Sequence, residues 1–179
     1  MIGRRGRSLA VLAMAAALGA CVEARGPTGP VPAAIAPVPA RSIHAGAVGS
    51  VVVPGGGGAI PPWAGELSDG GFRAALETSL RQAGILVPGG GQTLEAVVMD
   101  VAEAPSEPST TKVVLNVQYR LRDGAGRSVR DLRVSSGYTA TLAQAVQGID
   151  RLRVAREGAI RQNIAVLLRE LGSTSAGSL

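Results

Sequence analysis

Polar and apolar residues alternate most cleanly from Thr111 to Leu121, TKVVLNVQYRL. There Val113, Leu115, Val117, Tyr119 and Leu121 fall on one side, and Lys112, Val114, Asn116, Gln118 and Arg120 on the other. A period of two predicts a strand with one buried face. Asp123-Gly124-Ala125-Gly126 follows and predicts a hairpin turn. The returning arm, Arg127 to Leu142, keeps β character, but its apolar phase slips between Val129 and Leu132, which predicts a bulge. Upstream, residues 93 to 104, TLEAVVMDVAEA, have a continuous apolar middle that suggests a central strand. Ile43 to Val53 is β-rich toward its end but contains Gly46 and Gly49, so it reads as an edge strand or a bulged one.

Two stretches carry the helical period instead. After Asp69, a good cap, Phe72, Ala75, Leu76, Ser79, Leu80 and Ala83 line one side, and Gly84 ends the helix with Ile85 packing just beyond. Arg73, Glu77 and Arg81 make an i,i+4 ladder on the opposite face. The closing helix is predicted from about Ala145 to Leu171, with Ile149, Leu152, Ala159, Ile160, Ile164, Leu167 and Leu171 in its apolar stripe and Arg153, Glu157 and Arg161 as an outer ladder. Arg156 and Asn163 fall inside that stripe, one heptad apart. Pattern and burial disagree there, because a buried arginine needs a carboxylate or several carbonyls. Asp100 and Glu170 are the candidate partners; the alternatives are an arginine that snorkels past the core edge, or a site for a ligand or partner.

One marked sheet face and two amphipathic helices predict an α+β domain in the order β-α-β-β-β-α, a two-layer sandwich with three or four largely antiparallel strands. It is expected over residues 43 to 172, with a disordered tail from 173 to 179. Between the first strand and the first helix, Pro54-Gly-Gly-Gly-Gly58 and Ala59-Ile-Pro-Pro-Trp63 form a loop by composition. A phosphate-cradling role would need the spaced GxxxxGK[ST], and the only lysine in the chain is Lys112. Trp63 is expected to plug one end of the core, or to be displayed as a contact anchor.

The N-terminal pattern is of another kind. Arg4, Arg5 and Arg7 precede an apolar run from Leu9 to Ala20 that stops at the only cysteine, Cys21. A basic region followed by a short apolar one predicts an export signal. Twelve helical residues rise about 18 Å, too little for a hydrocarbon core of about 30 Å. From Val22 to Ala40 the prolines 27, 30, 32, 37 and 39 recur without strand or helix period, which predicts a tether over residues 21 to 42. Fully extended at roughly 3.1 Å per residue, it would reach about 60 Å.

Loss of residues 1 to 20 would remove three of the 18 basic side chains and none of the 13 acidic ones, taking the net charge from +5 to +2. That balance, with only Trp63, Phe72, Tyr119 and Tyr138 as aromatics, argues against a nucleic-acid partner. With one cysteine, no disulfide can form within a chain. The single histidine, His44, has no cysteine, carboxylate or second histidine near it in sequence, and reads as an ordinary exposed or half-buried side chain. No HExxH, GxSxG or paired-cysteine motif is present. No catalytic residue, metal ligand or cofactor is therefore assigned.

Leu18-Gly19-Ala20-Cys21 resembles the lipobox of bacterial lipoproteins. The resemblance implies cleavage before Cys21 and acylation of its thiol. Val22 in place of aspartate points to the outer membrane, periplasmic face, over the inner membrane. The order of lipobox, proline-rich tether, FRAALETSLRQAGIL, LEAVVMDV, VVLNVQYRLRDGAGRSV and AREGAIRQNIAVLLREL is broadly similar to small proteobacterial outer-membrane lipoproteins of the YajG-like and LptE-like kinds. That likeness implies two partners, membrane lipid through Cys21 and an envelope or outer-membrane protein. Three function classes follow: a non-enzymatic lipoprotein that docks on a membrane protein or supports envelope assembly, a periplasmic binding domain for lipid or a small apolar ligand, and an unrecognised enzyme. The candidate contact residues are Trp63, Arg156 and Asn163.

Overall fold

The computed structural model describes residues 42–54, 69–104 and 107–173. Cys21, the signal and tether segments, Trp63 and the tail from 174 onward lie outside the described residues. The elements run β1 (Val48–Val52), α1 (Asp69–Gln82), β2 (Gln92–Ala104), β3 (Thr110–Arg122), β4 (Ser128–Thr141) and α2 (Gly148–Ser173). They form the α+β fold expected from the pattern, with a four-stranded sheet in the order β1-β2-β3-β4.

The sheet is mixed. β2, β3 and β4 pair antiparallel, but β1 runs parallel to β2, with α1 as the crossover between them. A parallel neighbour needs such a crossover, whereas an antiparallel one can be joined by a tight turn. β1 is the expected edge strand and its register is broken between Val48 and Ser50. Gly49 lies there against Gly90, and a side chain on either would run into the other's backbone. The strand is shorter than the 43–53 stretch, because residues 43–47 form turns before it.

β3 buries the alternating set that its pattern marks, Val113 through Leu121. In β4 the register shift falls at Val129, at the start of the predicted interval, and from Arg130 onward the pairing is regular. A second irregularity, between Val98 and Asp100 in β2, was not visible in the continuous apolar run. Leu94, Ala96 and Val98 are buried before it and Val101 after it, while Met99 and Asp100 are both exposed. The bulge thus moves the inward set of β2 from even to odd positions.

α2 lies along β3 and β4, and α1 packs beside it and against β1. α1 ends as predicted: Gly84 takes φ +71°, its N–H donates to the Arg81 carbonyl, and the Ile85 N–H donates to the Leu80 carbonyl, with Ile85 fully buried. The Arg73–Glu77–Arg81 ladder forms at 2.8 Å on both sides. On α2 the Arg153–Glu157 rung forms at 3.1 Å. Arg161 makes no ion pair among the described residues, so that ladder is incomplete. Ile149, placed in the apolar stripe by its period, is exposed.

The two ends of the domain differ. At one, the β3–β4 hairpin turns on Asp123, whose Oδ1 accepts from the Ala125 and Arg127 backbone N–H groups at 2.9 Å. α2 finishes at this hairpin pole, where Arg130 reaches Glu170 at 3.4 Å and the Ser42 hydroxyl donates to the Leu171 carbonyl at 2.8 Å. At the other pole β3 begins, β4 ends and α2 starts.

Candidate functional site

Asn163 sits at the centre of α2 with no solvent exposure. Its carbonyl Oδ1 accepts from the Tyr119 hydroxyl at 2.7 Å, and its Nδ2 donates to the Val134 carbonyl at 3.1 Å and to Ser136 Oγ at 3.0 Å. Ser136 Oγ donates in turn to the Ala159 carbonyl at 3.0 Å. Helix, central strand and edge strand are therefore joined by a polar chain in the core. Burial pushes the Tyr119 hydroxyl far above its ordinary pKa, so it acts as a hydrogen-bond donor and not as an acid. Both ends of the Asn163 amide are used by protein groups, and none is aimed at a space a ligand could fill.

Arg156 is also buried, at 8 % exposure, and its Nη2 lies 3.4 Å from Glu103 Oε1. The carboxylate beside it is thus neither Asp100 nor Glu170. The bulge at Met99 explains the first: it turns Asp100 out to solvent and brings Glu103 toward the helix side. Glu170 stands at the hairpin pole against Arg130. Arg156 and Asn163 are not in one site, since Arg156 belongs to the end of β2 and Asn163 to the middle of β3 and β4.

Two features lay beyond the sequence reading. Arg151, at 9 % exposure, donates to the carbonyls of Ala145, Val146 and Pro108, tying the loop before α2 to the one before β3. Its position four residues before buried Ala155 was the available signal. His44, expected to be exposed or half-buried, is instead buried, and neither ring nitrogen has a hydrogen-bond partner among the described residues. Burial, and then the nearby Arg130 charge, hold its pKa below the ordinary histidine value.

The sheet face away from the helices carries mutual ion pairs, Arg120 and Arg122 with Glu95 and Arg120 with Asp131, and Gln118 donates to Asp131. Beside them a groove of about 350 Å³ is lined by Met99, Asp100, Asn116, Arg133 and Ser135. A second groove, of about 310 Å³, runs between β1 and α1. Among the described residues no three His, Cys, Asp or Glu side chains converge to hold a metal ion. No described helix is long and apolar enough to cross a membrane.

No protein-family model and no curated protein matches the sequence. Among solved structures, a presumed lipoprotein from Caulobacter crescentus CB15 matches 73% of this chain and 90% of its own, with a TM-score of 0.52 and 16% identity. A protein from Xanthomonas campestris matches 76% of this chain and 89% of its own, with a TM-score of 0.57 and 10% identity. What these likenesses establish is the fold, one shared with the Caulobacter protein of the lipoprotein type.

Proposed function

We propose that the chain is a non-enzymatic envelope lipoprotein, anchored by acylated Cys21 to the periplasmic face of the outer membrane, whose domain docks on a membrane protein or supports envelope assembly. The use of the polar groups of the described core by the protein itself is the observation that carries this reading. Every polar group of Asn163 is spent on Tyr119, Val134 and Ser136, and Arg156 sits against Glu103, so the residues best placed to receive a ligand are holding the fold together. A ligand-binding domain would keep a cavity with a few convergent free polar groups. The Leu18–Cys21 pattern and the proline-rich segment after it support the anchor, and a fold shared with the Caulobacter protein is consistent with it. Two or more acyl chains suffice for stable tethering. Trp63 remains a candidate contact residue.

Two measurements test this. Cys21→Ser should block acylation and cleavage and release the domain from the membrane fraction; normal maturation and tethering of that variant would defeat the anchor. Density-gradient fractionation of the wild-type chain should place it with outer-membrane markers. Crosslinking the tethered chain in cells should yield a protein adduct, whereas lipid co-purifying at near one-to-one stoichiometry, with no protein adduct, would favour the binding-domain alternative.

A further inference from the structure

The two edges of the sheet are finished differently. β1 is five residues long and its register is broken at Gly49, both of which discourage a further strand from pairing with it. β4 runs from Ser128 to Thr141, pairs regularly with β3 from Arg130 onward, and contains no proline. Its outer backbone groups can be assigned. The Leu142 N–H donates to the Ser109 carbonyl at 3.1 Å, one step beyond the Thr110–Thr141 pair. Bonded pairs alternate with pairs whose N–H and C=O point away, so the even-numbered residues of β4 bond to β3 and the odd-numbered ones turn outward. Thr141 confirms the parity: its N–H donates to Gln144 Oε1, and its carbonyl accepts from the Gln144 and Ala145 N–H groups. The following loop thus closes the edge at Thr141. From Asp131 to Thr139 no described strand meets it.

We propose that this edge pairs with a second copy of the chain, β4 against β4, antiparallel about a twofold axis through Leu132, joining two four-stranded sheets into one. Charge selects the copy and the register. Glu95, Arg120 and Asp131 occupy paired positions on β2, β3 and β4, with Arg120 3.8 Å from Glu95 and 3.7 Å from Asp131. This row across the open face alternates in sign and stops at the edge with Asp131. About Leu132, residue 131 of each copy faces residue 133 of the other. The copy's Arg133 is then the next member of the row, and the symmetry makes the same pair twice. Arg133 is exposed and makes no ion pair among the described residues. Both residues turn their backbone groups outward, so each 131–133 pair exchanges its N–H···O bonds with Cα atoms about 5.5 Å apart. The neighbouring registers centre on Asp131 or on Arg133 and set like charges directly opposite each other.

The helices fit the same arrangement. The twofold axis is normal to the sheet, so both copies carry α2 on one face. Asn163 joins Tyr119 of β3 to Val134 of β4, which places α2 above that strand pair. Its copy would stand two strand spacings away, about 10 Å, and packed helices lie roughly 8–10 Å apart. Val166, half-buried, falls between Asn163, held to Val134, and Glu170, held to Arg130, which brings it level with Leu132. The strand pairing therefore brings the two helices into contact instead of forcing them apart.

The test is sedimentation equilibrium of the purified full-length chain in density-matched detergent, where the wild type should be a dimer. Arg133→Asp leaves both facing positions acidic and Asp131→Arg leaves both basic, and each alone should weaken self-association about tenfold or more. Mixed one to one, the two variants should form a dimer with one copy of each, because every 131–133 pair is then of opposite sign. That rescue also shows both variants to be folded. Leu132→Cys should give an intermolecular disulfide under mild oxidation, which the wild type does not. Thr139→Cys, roughly 45 Å from its counterpart at about 3.3 Å per residue, should give none. A wild-type chain that is monomeric at every concentration would overturn the pairing, and so would a dimer indifferent to both charge variants. Variants that fail to pair when mixed, or a disulfide from Thr139→Cys and none from Leu132→Cys, would overturn the register. The docking role proposed above stands or falls separately, since none of these measurements involves another protein.

Discussion

Between Ala155 and Leu171, α2 buries its apolar stripe against β3 and β4 and even buries an asparagine within it, whereas from Leu142 to Ile149 the chain leaves comparable side chains in water. The sequence pattern is similar in both regions, and what differs is the surface beneath. Ala159 and Asn163 lie over Ser136 and Val134 in the middle of β4. Ile149 lies seven residues before Arg156, about 10 Å further along the helix, and Arg156 already stands at the end of β2 against Glu103. Ile149 has overrun the sheet. A helical stripe therefore records which side of a helix is apolar, and the strand ends decide how much of it has something to cover.

The sharpest way to break this contrast is at its buried end. Asn163→Ala should be the most destabilising change considered, by about 3 kcal/mol, because it strands the Tyr119 hydroxyl and the Val134 carbonyl in the core and leaves a cavity. Urea unfolding measures it. Tyr119→Phe removes only the donor to Oδ1 and should cost about 1–2 kcal/mol. A double-mutant cycle should show the two effects to be far from additive. Additive losses would mean that the polar chain does not act as a unit.

Gly158 comes next. A β-carbon there would overlap the Tyr138 ring, so α2 lies directly on that side chain. Helix propensity alone favours alanine over a mid-helix glycine by about 1 kcal/mol. Gly158→Ala should nevertheless destabilise by about 1–2 kcal/mol, because overpacking outweighs propensity; a rise in thermal midpoint would show that the ring moves aside freely. Tyr138→Ala in the same background should relieve the clash.

These residues also mark what could be read in advance. The β3 alternation, the α1 stop at Gly84 and the order of elements were legible because each is a local pattern. The parallel β1 could have been read from strand, helix and strand in sequence, but its glycines drew attention to the edge and away from direction. The β2 bulge was hidden because Val97, Val98 and Met99 are all apolar and carry no phase. That one inserted residue decides that Glu103, and not Asp100, stands beside Arg156. The Asn163 network was half legible: the wheel marks an amide in the stripe, but its partners come from residues 27 to 48 positions away.

A smaller effect should appear on acidification. His44 is buried with its pKa held down, so the folded state resists protonation that the unfolded chain accepts. Stability from the neutral ring is fully present above the unfolded value near 6.5 and is lost as pH falls from there toward the depressed folded value. Thermal midpoints measured from pH 7.5 to 5 should decline across that window, and His44→Phe should flatten the decline. An identical slope in the variant would assign the pH dependence to other groups.

The exposed end should show the smallest effect of all. Val146→Ser and Ile149→Ser remove side chains that lie mostly in water, so each should change stability by no more than about 0.5 kcal/mol. Arg151→Met is the informative companion. It keeps the apolar stem and deletes the bonds to Ala145, Val146 and Pro108, which should speed amide hydrogen exchange at 142–148 while the exchange of core amides in β3 stays unchanged. If Val146→Ser or Ile149→Ser cost as much as Tyr119→Phe, these side chains would be packed within the free protein, and the contrast between the two ends of α2 would collapse. If both are neutral and Arg151→Met loosens only the loop, the buried cation is maintaining an apolar surface that the fold itself does not need.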